Sequence, residues 1–242
     1  NATALVFRIL EEPTAEDREL LLAFGKTHNV QMWLQSKGPD TVHAMPEQGE
    51  LEPLYYELPE FDVKVEFLPH DFTQINPEIN RQMVPRALEL LQVEAEHNVL
   101  ELFSGLGNFT LPLAKTAAKV VTVEGDDGLV KRADENAKRQ GFNNVETHVG
   151  NLFEDQSSMA WSKAKYDRVL LDPARSGAEE ILPTIAKSGA ERIVYVSCHP
   201  GTLARDAGIL VNEHGYTLEA AGVMDMFPHT AHVESIALFT KA

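Results

Sequence analysis

Three residues could together carry out covalent catalysis, one as a nucleophile and two as its partners: Cys198, Asp172 and Glu234. Cys198 follows the strand-like run 192–196 and stands just ahead of a predicted helix, whose N-terminus can lower the pKa of a thiol. A single cysteine is otherwise an ordinary small buried side chain. Cys198 is therefore a candidate nucleophile, and the residues that surround it decide whether it acts as one.

Two carboxylates are candidate partners of this thiol. Asp172 ends a predicted strand, so it is expected beside Cys198 at the carboxyl edge of a parallel sheet, where it could orient a planar amide or a nucleobase edge. Its alternative role is to cap a helix. Glu234 opens the last predicted strand and could be a general base. His229 and His232 precede it, but no fourth ligand is apparent, so we predict no metal site.

A glycine turn and a strand-end acid indicate a nucleoside site. Gly105 and Gly107 follow the predicted strand 98–103 and permit a tight turn, but the third glycine of the dinucleotide motif is missing. Glu124 ends the next strand, where a carboxylate can accept hydrogen bonds from a ribose diol; a solvated charge is the alternative. This combination favours S-adenosylmethionine over NAD. Asn151, after the third strand, would border the adenine or cap a helix.

Alternating strand and helix patterns from residue 77 to residue 242 predict the sheet that positions these residues. Strands are predicted at 98–103, 119–124, 145–150, 167–172, 192–197, 217–226 and 234–241, and helices at 78–91, after the glycine turn, and at 128–140, 179–187 and 201–213. Strands that alternate with helices form a parallel sheet through right-handed crossovers. Because no helix separates the last two strands, we expect one of them to be antiparallel.

The first 76 residues predict a smaller α+β domain. A strand at 4–10 precedes a helix that starts at Thr14, with Asp17 in the third position of a capping box. A strand at 30–34, a loop at 36–53 and a hairpin at 54–68 follow. We expect this domain, 1–76, to be incomplete, because the chain lacks an initial methionine and opens inside a strand pattern.

Composition limits the function classes. The 242 residues are 43% apolar and 24% charged, as in a globular protein, and no apolar run is long enough to span a membrane. A single cysteine excludes an internal disulfide and a four-cysteine metal site, and a reducing cytoplasm is the default compartment. A net charge of −16 disfavours binding to nucleic acid unless the basic surface is local or lies outside this chain.

Six linked motifs resemble those of the RNA uracil-C5 methyltransferases, in the same order and over residues 1–242. They are FTQIN (72–76), LELFSGLGNFTLPLA (100–114), VEGD (123–126), LLDPARSG (170–177), VYVSCHPGTLARD (194–206) and DMFPHTAHVES (225–235). The likeness is greater to the branch that acts on bacterial 23S ribosomal RNA than to the branch that acts on tRNA.

This resemblance implies a Rossmann-like class I S-adenosylmethionine-dependent methyltransferase domain at 77–242, with a mostly parallel seven-stranded sheet. Cys198 would be the nucleophile and Glu234 the base, while Asp172 would contact the cofactor or hold the target base. The family's other cofactor contacts fall on Gln74, Phe103, Asn108, Glu124 and Asn151. The implied substrate is 23S ribosomal RNA. We expect a cytoplasmic protein with no membrane partner, and a monomer by default.

The chain departs from the family's pattern at three places. Relatives carry an N-terminal OB-like RNA-binding domain and an iron–sulfur cluster on four cysteines; we expect neither here, because the chain opens within the pattern of the central domain and Cys198 is its only cysteine. Asn151 stands where the family often has an acid. His199 stands where relatives often have Asn; it could tune the neighbouring thiol, but we interpret it as an exposed histidine in a turn.

Two other methyltransferase classes and a non-enzymatic module are the alternative functions. An exocyclic-amine methyltransferase would need an aromatic residue after its strand-end motif, whereas Ala174 and Arg175 follow Pro173 here. A DNA cytosine-C5 enzyme would carry its cysteine after a proline in an earlier loop. The non-enzymatic alternative is a cofactor-binding or RNA-assembly module, or a truncated chain with little activity on RNA. The presence of both Cys198 and Glu234 favours an enzyme.

Overall fold

The computed structural model describes residues 2–241, which divide into two compact units. One unit contains the residues up to 57 together with 64–73, and the other contains 58–63 and the residues from 74 onward. The domain boundary expected between residues 76 and 77 stays a prediction.

The first unit is built on a β-α-β element. Its strands and helix are β1 (Thr3–Arg8), α1 (Ala15–His28), β2 (Val30–Gln35), β3 (His43–Ala44), β4 (Leu54–Leu58) and β5 (Val63–Phe67). The strands β1 and β2 pair in parallel, and β4 and β5 form the predicted two-stranded sheet. The capping box of α1 is confirmed, because Asp17 N donates to Thr14 Oγ1 (3.2 Å) and Thr14 N donates to Asp17 Oδ2 (3.0 Å). The predicted loop 36–53 contains the short β3, antiparallel to β2.

The second unit contains the predicted sheet and its helices. The strands are β6 (Asn98–Leu102), β7 (Lys119–Glu124), β8 (Val145–Val149), β9 (Arg168–Leu171), β10 (Arg192–Ser197), β11 (Thr217–Met224) and β12 (Glu234–Thr240). The helices are α2 (Pro77–Leu91), α3 (Thr110–Ala114), α4 (Asp127–Arg139), α5 (Ala160–Lys163), α6 (Leu182–Ser188) and α7 (Pro200–His214). The four-residue α5 was not predicted, since it is too short to show a helical period.

The seven strands lie in the order β8-β7-β6-β9-β10-β12-β11. All neighbouring pairs are parallel except those of β12, which is antiparallel to both β10 and β11, as expected for the last two strands. The central strands are apolar runs because helices cover both faces of a parallel sheet. Tyr195 and Phe239 are the largest side chains fully buried in its core.

The helix predicted at 179–187 begins differently in the structure. Residues Glu179–Ile181 form a 3-10 turn, and the α-helix starts only at Leu182. Pro183 lacks a backbone N–H, so it fits the first turn of a helix but not its interior. No side chain caps either the 3-10 turn or α6. The capping role considered for Asp172 is therefore wrong.

Candidate active site

The chain order of the sheet reverses between β6 and β9, which is where open α/β sheets bind their ligands. The carboxyl ends of β6, β7, β9 and β10 carry the glycine turn, Glu124, Asp172 and Cys198. Because β12 runs in the opposite direction, its first residue, Glu234, lies at the same edge. The sheet therefore brings residues from five strands to one edge.

Glu124 ties the end of β7 to the glycine turn after β6. Its Oε2 accepts a hydrogen bond from Gly105 N (3.0 Å), and its Oε1 accepts from Gly125 N (2.7 Å) and Asp126 N (3.1 Å). A carboxylate has about four acceptor positions, so about one is left for a ligand hydroxyl. Gly105 has φ +53° and open space where a Cβ would stand. Glu124 is thus a fixed acceptor beside an open turn, and not merely a solvated charge.

Phe103 leaves the sheet in a conformation that non-glycine residues seldom adopt. Its φ is +62°, in the left-handed region, and its N–H donates to Val123 O (2.9 Å). The ring packs on the core of the sheet and lies 5.7 Å from that of Phe153. Such backbone strain persists where the surroundings fix it, and it concentrates at ligand sites.

Asn108 and Gln74 lie near α2. The Asn108 side chain forms two reciprocal amide hydrogen bonds, both 2.9 Å, with the buried Asn80 of α2. This pairing fixes the end of the glycine turn against the helix. Gln74 is half-buried in the loop that leads into α2. Asn108 is thus held by a hydrogen-bonded partner, whereas for Gln74 the structure shows its place in the loop and its burial.

Asn151 faces its own turn. Its Oδ1 accepts from Phe153 N (3.1 Å), its Nδ2 donates to Glu154 Oε1 (2.7 Å), and the residue is exposed. The chain does not continue into a helix there, so Asn151 caps a turn and not a helix, and its place beside the adenine stays a prediction.

Cys198 and Glu234 face each other across two strands. The antiparallel register pairs Ser197 with Ser235, and its continuation by one residue places Cys198 opposite Glu234. Directly opposed residues of an antiparallel pair point to the same face of the sheet. Cys198 is half-buried, whereas Glu234 is buried and its Oε1 has no hydrogen-bond partner among residues 2–241. The two predicted catalytic residues are thus brought together.

The pKa of the Cys198 thiol is raised above its ordinary value, contrary to the expectation from the helix N-terminus. Burial is the largest cause, the negative charges of Glu234 and Asp172 add to it, and Arg175 acts in the opposite direction. Burial also raises the pKa of Asp172 to about 7. Burial, with the charge of Asp172, raises the pKa of Glu234 to about 8. Low dielectric and like charges thus outweigh the helix terminus.

Glu101 is a functional candidate that the sequence reasoning missed. It lies in β6, 1% exposed, and its Oε2 accepts from Thr110 Oγ1 (2.5 Å), whereas Oε1 is without a partner in the described part of the chain. Burial raises its pKa to about 8; the Thr110 hydrogen bond opposes that rise, and the charges of Asp172 and Glu124 contribute to it. The available signal was a glutamate between Leu100 and Leu102, inside a strand otherwise suited to the core.

His199 is the N-cap of α7 and not an exposed histidine in a turn. It is half-buried, and its Nδ1 accepts from Thr202 N (3.2 Å), because the first N–H groups of a helix need acceptors. Over residues 2–241, no group of three or more His, Cys, Asp or Glu side chains is placed to hold a metal ion. No helix in that range is long and apolar enough to cross a membrane.

The strand order, the glycine turn and the strand-end carboxylate define a Rossmann-like class I methyltransferase fold. Residues 57–242 match a model of the family described as tRNA (uracil-5-)-methyltransferase, and the chain belongs to this family. A relative named 23S rRNA (uracil(1939)-C(5))-methyltransferase RlmD, from Xanthomonas campestris pv. campestris, is 51% identical over 241 residues. One of the same name from Methylococcus capsulatus is 54% identical over 240 residues. These matches cover 100% and 99% of this chain but 54% of each relative, so the chain spans about half their length.

Two solved structures support the fold. The Pyrococcus abyssi tRNA (uracil-54, C5)-methyltransferase in complex with S-adenosyl-L-homocysteine has a TM-score of 0.75 at 24% identity, covering 98% of this chain and 55% of that one. The M. jannaschii TYW2 in complex with AdoMet has a TM-score of 0.60 at 17% identity, covering 88% of this chain and 94% of that one. At these identities the likeness concerns the fold.

Proposed function

We propose that the chain methylates C5 of a uridine in 23S ribosomal RNA, with S-adenosylmethionine as the methyl donor. The observation that carries the proposal is the register of β10 and β12, which sets the only cysteine opposite a buried glutamate beside Asp172. The family and the names of the relatives at about 50% identity support the reaction and the substrate. The chain spans about half the length of those relatives, so the activity and substrate that their names state come to it only as a proposal.

The residues present fit the cofactor. S-adenosylmethionine supplies a methyl group on a sulfonium cation and also carries an ammonium group. Glu101 Oε1 is a buried acceptor without a partner in the described residues, and Asp172 is a nearby carboxyl group, so a cation there would satisfy both electrostatically. Glu124 would accept from the ribose, and Phe103 would pack against the ligand at the turn. Gln74 and Asn108 complete the proposed side-chain contacts, and Asn151 would border the adenine while its side chain stays bonded within its own turn.

Cys198 would make the uracil ring reactive. C5 of uracil is a poor nucleophile, but addition of the thiolate to C6 moves an electron pair towards the C4 oxygen and leaves an enolate whose C5 can attack a methyl group. The thiol must therefore first release its proton, and water is the acceptor because Cys198 is only half-buried. Because the pKa of Cys198 is raised, only a small fraction of the thiol is ionised at neutral pH, so this proton loss limits how much nucleophile is available.

Glu234 would complete the reaction as the base. Once C5 carries its new methyl group, its hydrogen must leave as a proton, so that the electron pair reforms the C5–C6 double bond and the C6–S bond breaks. With a pKa near 8, Glu234 is mostly protonated at neutral pH, so its ionised fraction acts as the base; that form is a stronger proton acceptor than an ordinary glutamate, and it lies opposite Cys198. The position of Glu234 therefore suits proton removal from the atom next to the one that Cys198 attacks.

Asp172 would hold the uracil. With a pKa of about 7, its carboxyl group is partly protonated at neutral pH, so it can donate to a carbonyl oxygen and also accept from N3–H. The base must leave its stack to reach this edge. The net charge of −16 gives little general attraction for RNA, so we expect phosphate binding by local basic groups or by parts of a longer protein.

A fragment of 23S ribosomal RNA containing 5-fluorouridine tests the proposal. Fluorine at C5 cannot leave as a proton, so incubation with S-adenosylmethionine should trap a methylated covalent adduct, detected by intact mass. Cys198→Ala should bind the cofactor and form no adduct. A tRNA fragment with the same substitution tests the alternative substrate. Cofactor binding without an adduct on either RNA would favour a cofactor-binding module, and failure to bind the cofactor would refute the methyltransferase proposal.

A further inference from the structure

The buried Asp206 of α7 joins two structural elements that carry proposed site residues. It is 0% exposed, and its Oδ2 accepts from Ala178 N (2.7 Å) and from the Tyr195 hydroxyl (2.6 Å). Ala178 ends the loop that follows Asp172, and Tyr195 lies in β10, three residues before Cys198. One carboxylate oxygen thus binds both the loop after β9 and the strand that leads to the thiol.

Neighbouring residues of α7 hold the same loop. Arg205 Nε donates to Asp206 Oδ1 (2.8 Å), and Arg205 Nη2 donates to Ser176 O (2.9 Å). Thr202 Oγ1 donates to Arg175 O (3.2 Å). Two successive turns of the helix therefore fix the backbone of the loop, and the helix begins two residues after Cys198.

Gly177 lets the loop approach α7 closely. Its φ is +85°, and an added Cβ would stand 2.6 Å from Arg205 Nη2 and 2.7 Å from Asp206 Oδ2. Any larger residue would be strained in its backbone and would push against these two side chains. The close approach of loop and helix thus depends on the absence of a side chain at this position.

We propose that Asp206 is a positioning residue that fixes the separation between Asp172 and Cys198. The role rests on the proposed function, in which Asp172 holds the uracil that Cys198 attacks. Asp206 does not need to touch the substrate. It acts through Ala178 and Tyr195, and a change at Asp206 should release the loop that begins at Asp172.

The ionisation of the Cys198 thiol depends on its separation from Asp172. It can be measured without interference, because Cys198 is the only cysteine. Alkylation by iodoacetamide, followed by intact mass over about pH 6 to about pH 10, gives the midpoint of its ionisation. The groups that influence Cys198 electrostatically are Glu234 on β12 and Asp172 and Arg175 on the loop. Burial and the Asp172 charge outweigh Arg175, so a displaced loop should lower the midpoint.

Two buried tyrosines form a matched pair of variants. Tyr195→Phe removes the hydroxyl that binds Asp206, whereas Tyr216→Phe removes a hydroxyl that donates to Ala190 O (2.8 Å), before β10. We expect Tyr195→Phe to lower the midpoint by roughly half a pH unit or more, and Tyr216→Phe to leave it unchanged. Asp206→Asn, which changes the helix, and Gly177→Ala, which changes the loop, should also lower the midpoint.

The proposal is overturned if these three variants leave the midpoint where Tyr216→Phe leaves it, or if Tyr216→Phe shifts it equally. Urea unfolding of each variant, measured in parallel, separates a loss of stability from a change at the thiol. Alkylation needs neither cofactor nor RNA, so a failure to methylate RNA would not be mistaken for a failure of the positioning role. Restored alkylation behaviour in Asp206→Glu, the conservative variant, would support it further.

Discussion

Replacing Glu101 by Gln should stabilise the folded chain at alkaline pH and weaken its binding of S-adenosylmethionine. The carboxyl group is buried in β6, and one of its oxygens has no partner among residues 2–241. Burial raises its pKa from 4.5 to about 8. The folded state therefore holds this proton over a range of pH in which the unfolded chain has released it.

The sign and size of the effect follow from that difference. Below about pH 4.5 the group is protonated in both states, and stability is lost progressively as the pH rises to about 8. The gap corresponds to roughly 5 kcal/mol at about 1.4 kcal/mol per pH unit, which is the largest change expected. Glutamine cannot ionise, so Glu101→Gln should escape this loss, although its buried amide costs about 1–3 kcal/mol at every pH.

Urea unfolding at several values between about pH 5 and about pH 9 measures the difference. The variant should be the less stable protein at the acidic end and should gain relative to the wild type as the pH rises. The exposed Glu89→Gln controls for the loss of one negative charge. Calorimetric titration with S-adenosylmethionine should show weaker binding by Glu101→Gln, because a bound cation favours the ionised form of Glu101 and lowers its pKa, whereas a glutamine amide cannot ionise. A constant stability difference at every pH would refute the reasoning.

Three further substitutions, in two experiments, test the proposed chemistry. In Glu234→Gln, Cys198 should still add to C6 of the uridine and C5 should still receive the methyl group. The C5 proton should then be removed poorly, so a covalent complex with ordinary uridine RNA should accumulate and be visible by denaturing electrophoresis. Glu124→Gln should weaken binding of S-adenosylmethionine by roughly tenfold or more, since hydrogen bonds to a charged group are lost. Asn151→Ala should change that affinity by less than about twofold, because its amide binds its own turn.

The outcomes that contradict these two expectations are distinct. Rapid turnover by Glu234→Gln would remove Glu234 from the base role while leaving Cys198 in place. Equal losses of affinity for Glu124→Gln and Asn151→Ala would mean that the turn at Asn151 opens to bind the ligand, contrary to the structure. Far-UV circular dichroism of each variant checks that the fold is retained.

The sequence was sufficient for the sheet and for the positions of the strand-end residues. Apolar strand runs alternate with helices, and three of the candidate residues stand at carboxyl ends of strands, so one edge of a parallel sheet must collect Glu124, Asp172 and Cys198. The absence of a helix between the last two strands also predicted that one of them is antiparallel, which is what brings Glu234 to the same edge. These inferences depend on local patterns and on general rules of connection.

The electrostatics of the site could not be predicted in this way. The helix N-terminus next to Cys198 is a local feature, but the charges that raise the pKa of its thiol come from Glu234 and Asp172, on two other strands. Likewise, the sequence shows Glu101 between two leucines of an apolar strand, but only the central place of β6 in the sheet shows that both faces of the strand are covered. The bonds from Asp206 to Ala178 and Tyr195 join residues 28 and 11 positions away, and no periodicity indicates them.

Cofactor binding should itself prepare the nucleophile. In the free chain, burial and two carboxylates raise the pKa of Cys198, so the thiol is held protonated. A cation bound beside Asp172 offsets that negative charge and stabilises the thiolate. The midpoint of Cys198 alkylation should therefore fall by roughly one pH unit with saturating S-adenosylmethionine, and by less with S-adenosylhomocysteine, which keeps the ammonium group but lacks the sulfonium charge.

The midpoint is the diagnostic quantity, because a ligand that merely covers the thiol slows alkylation at every pH and leaves the midpoint in place. Asp172→Asn supplies the control. Without ligand its midpoint should already lie below that of the wild type, and the further fall on adding S-adenosylmethionine should be smaller, because the charge that the cation offsets has been removed. Equal midpoints with the two ligands would show that the sulfonium charge does not act on Cys198, and midpoints equal to that of the free chain would show that neither cation takes part in activating the thiol.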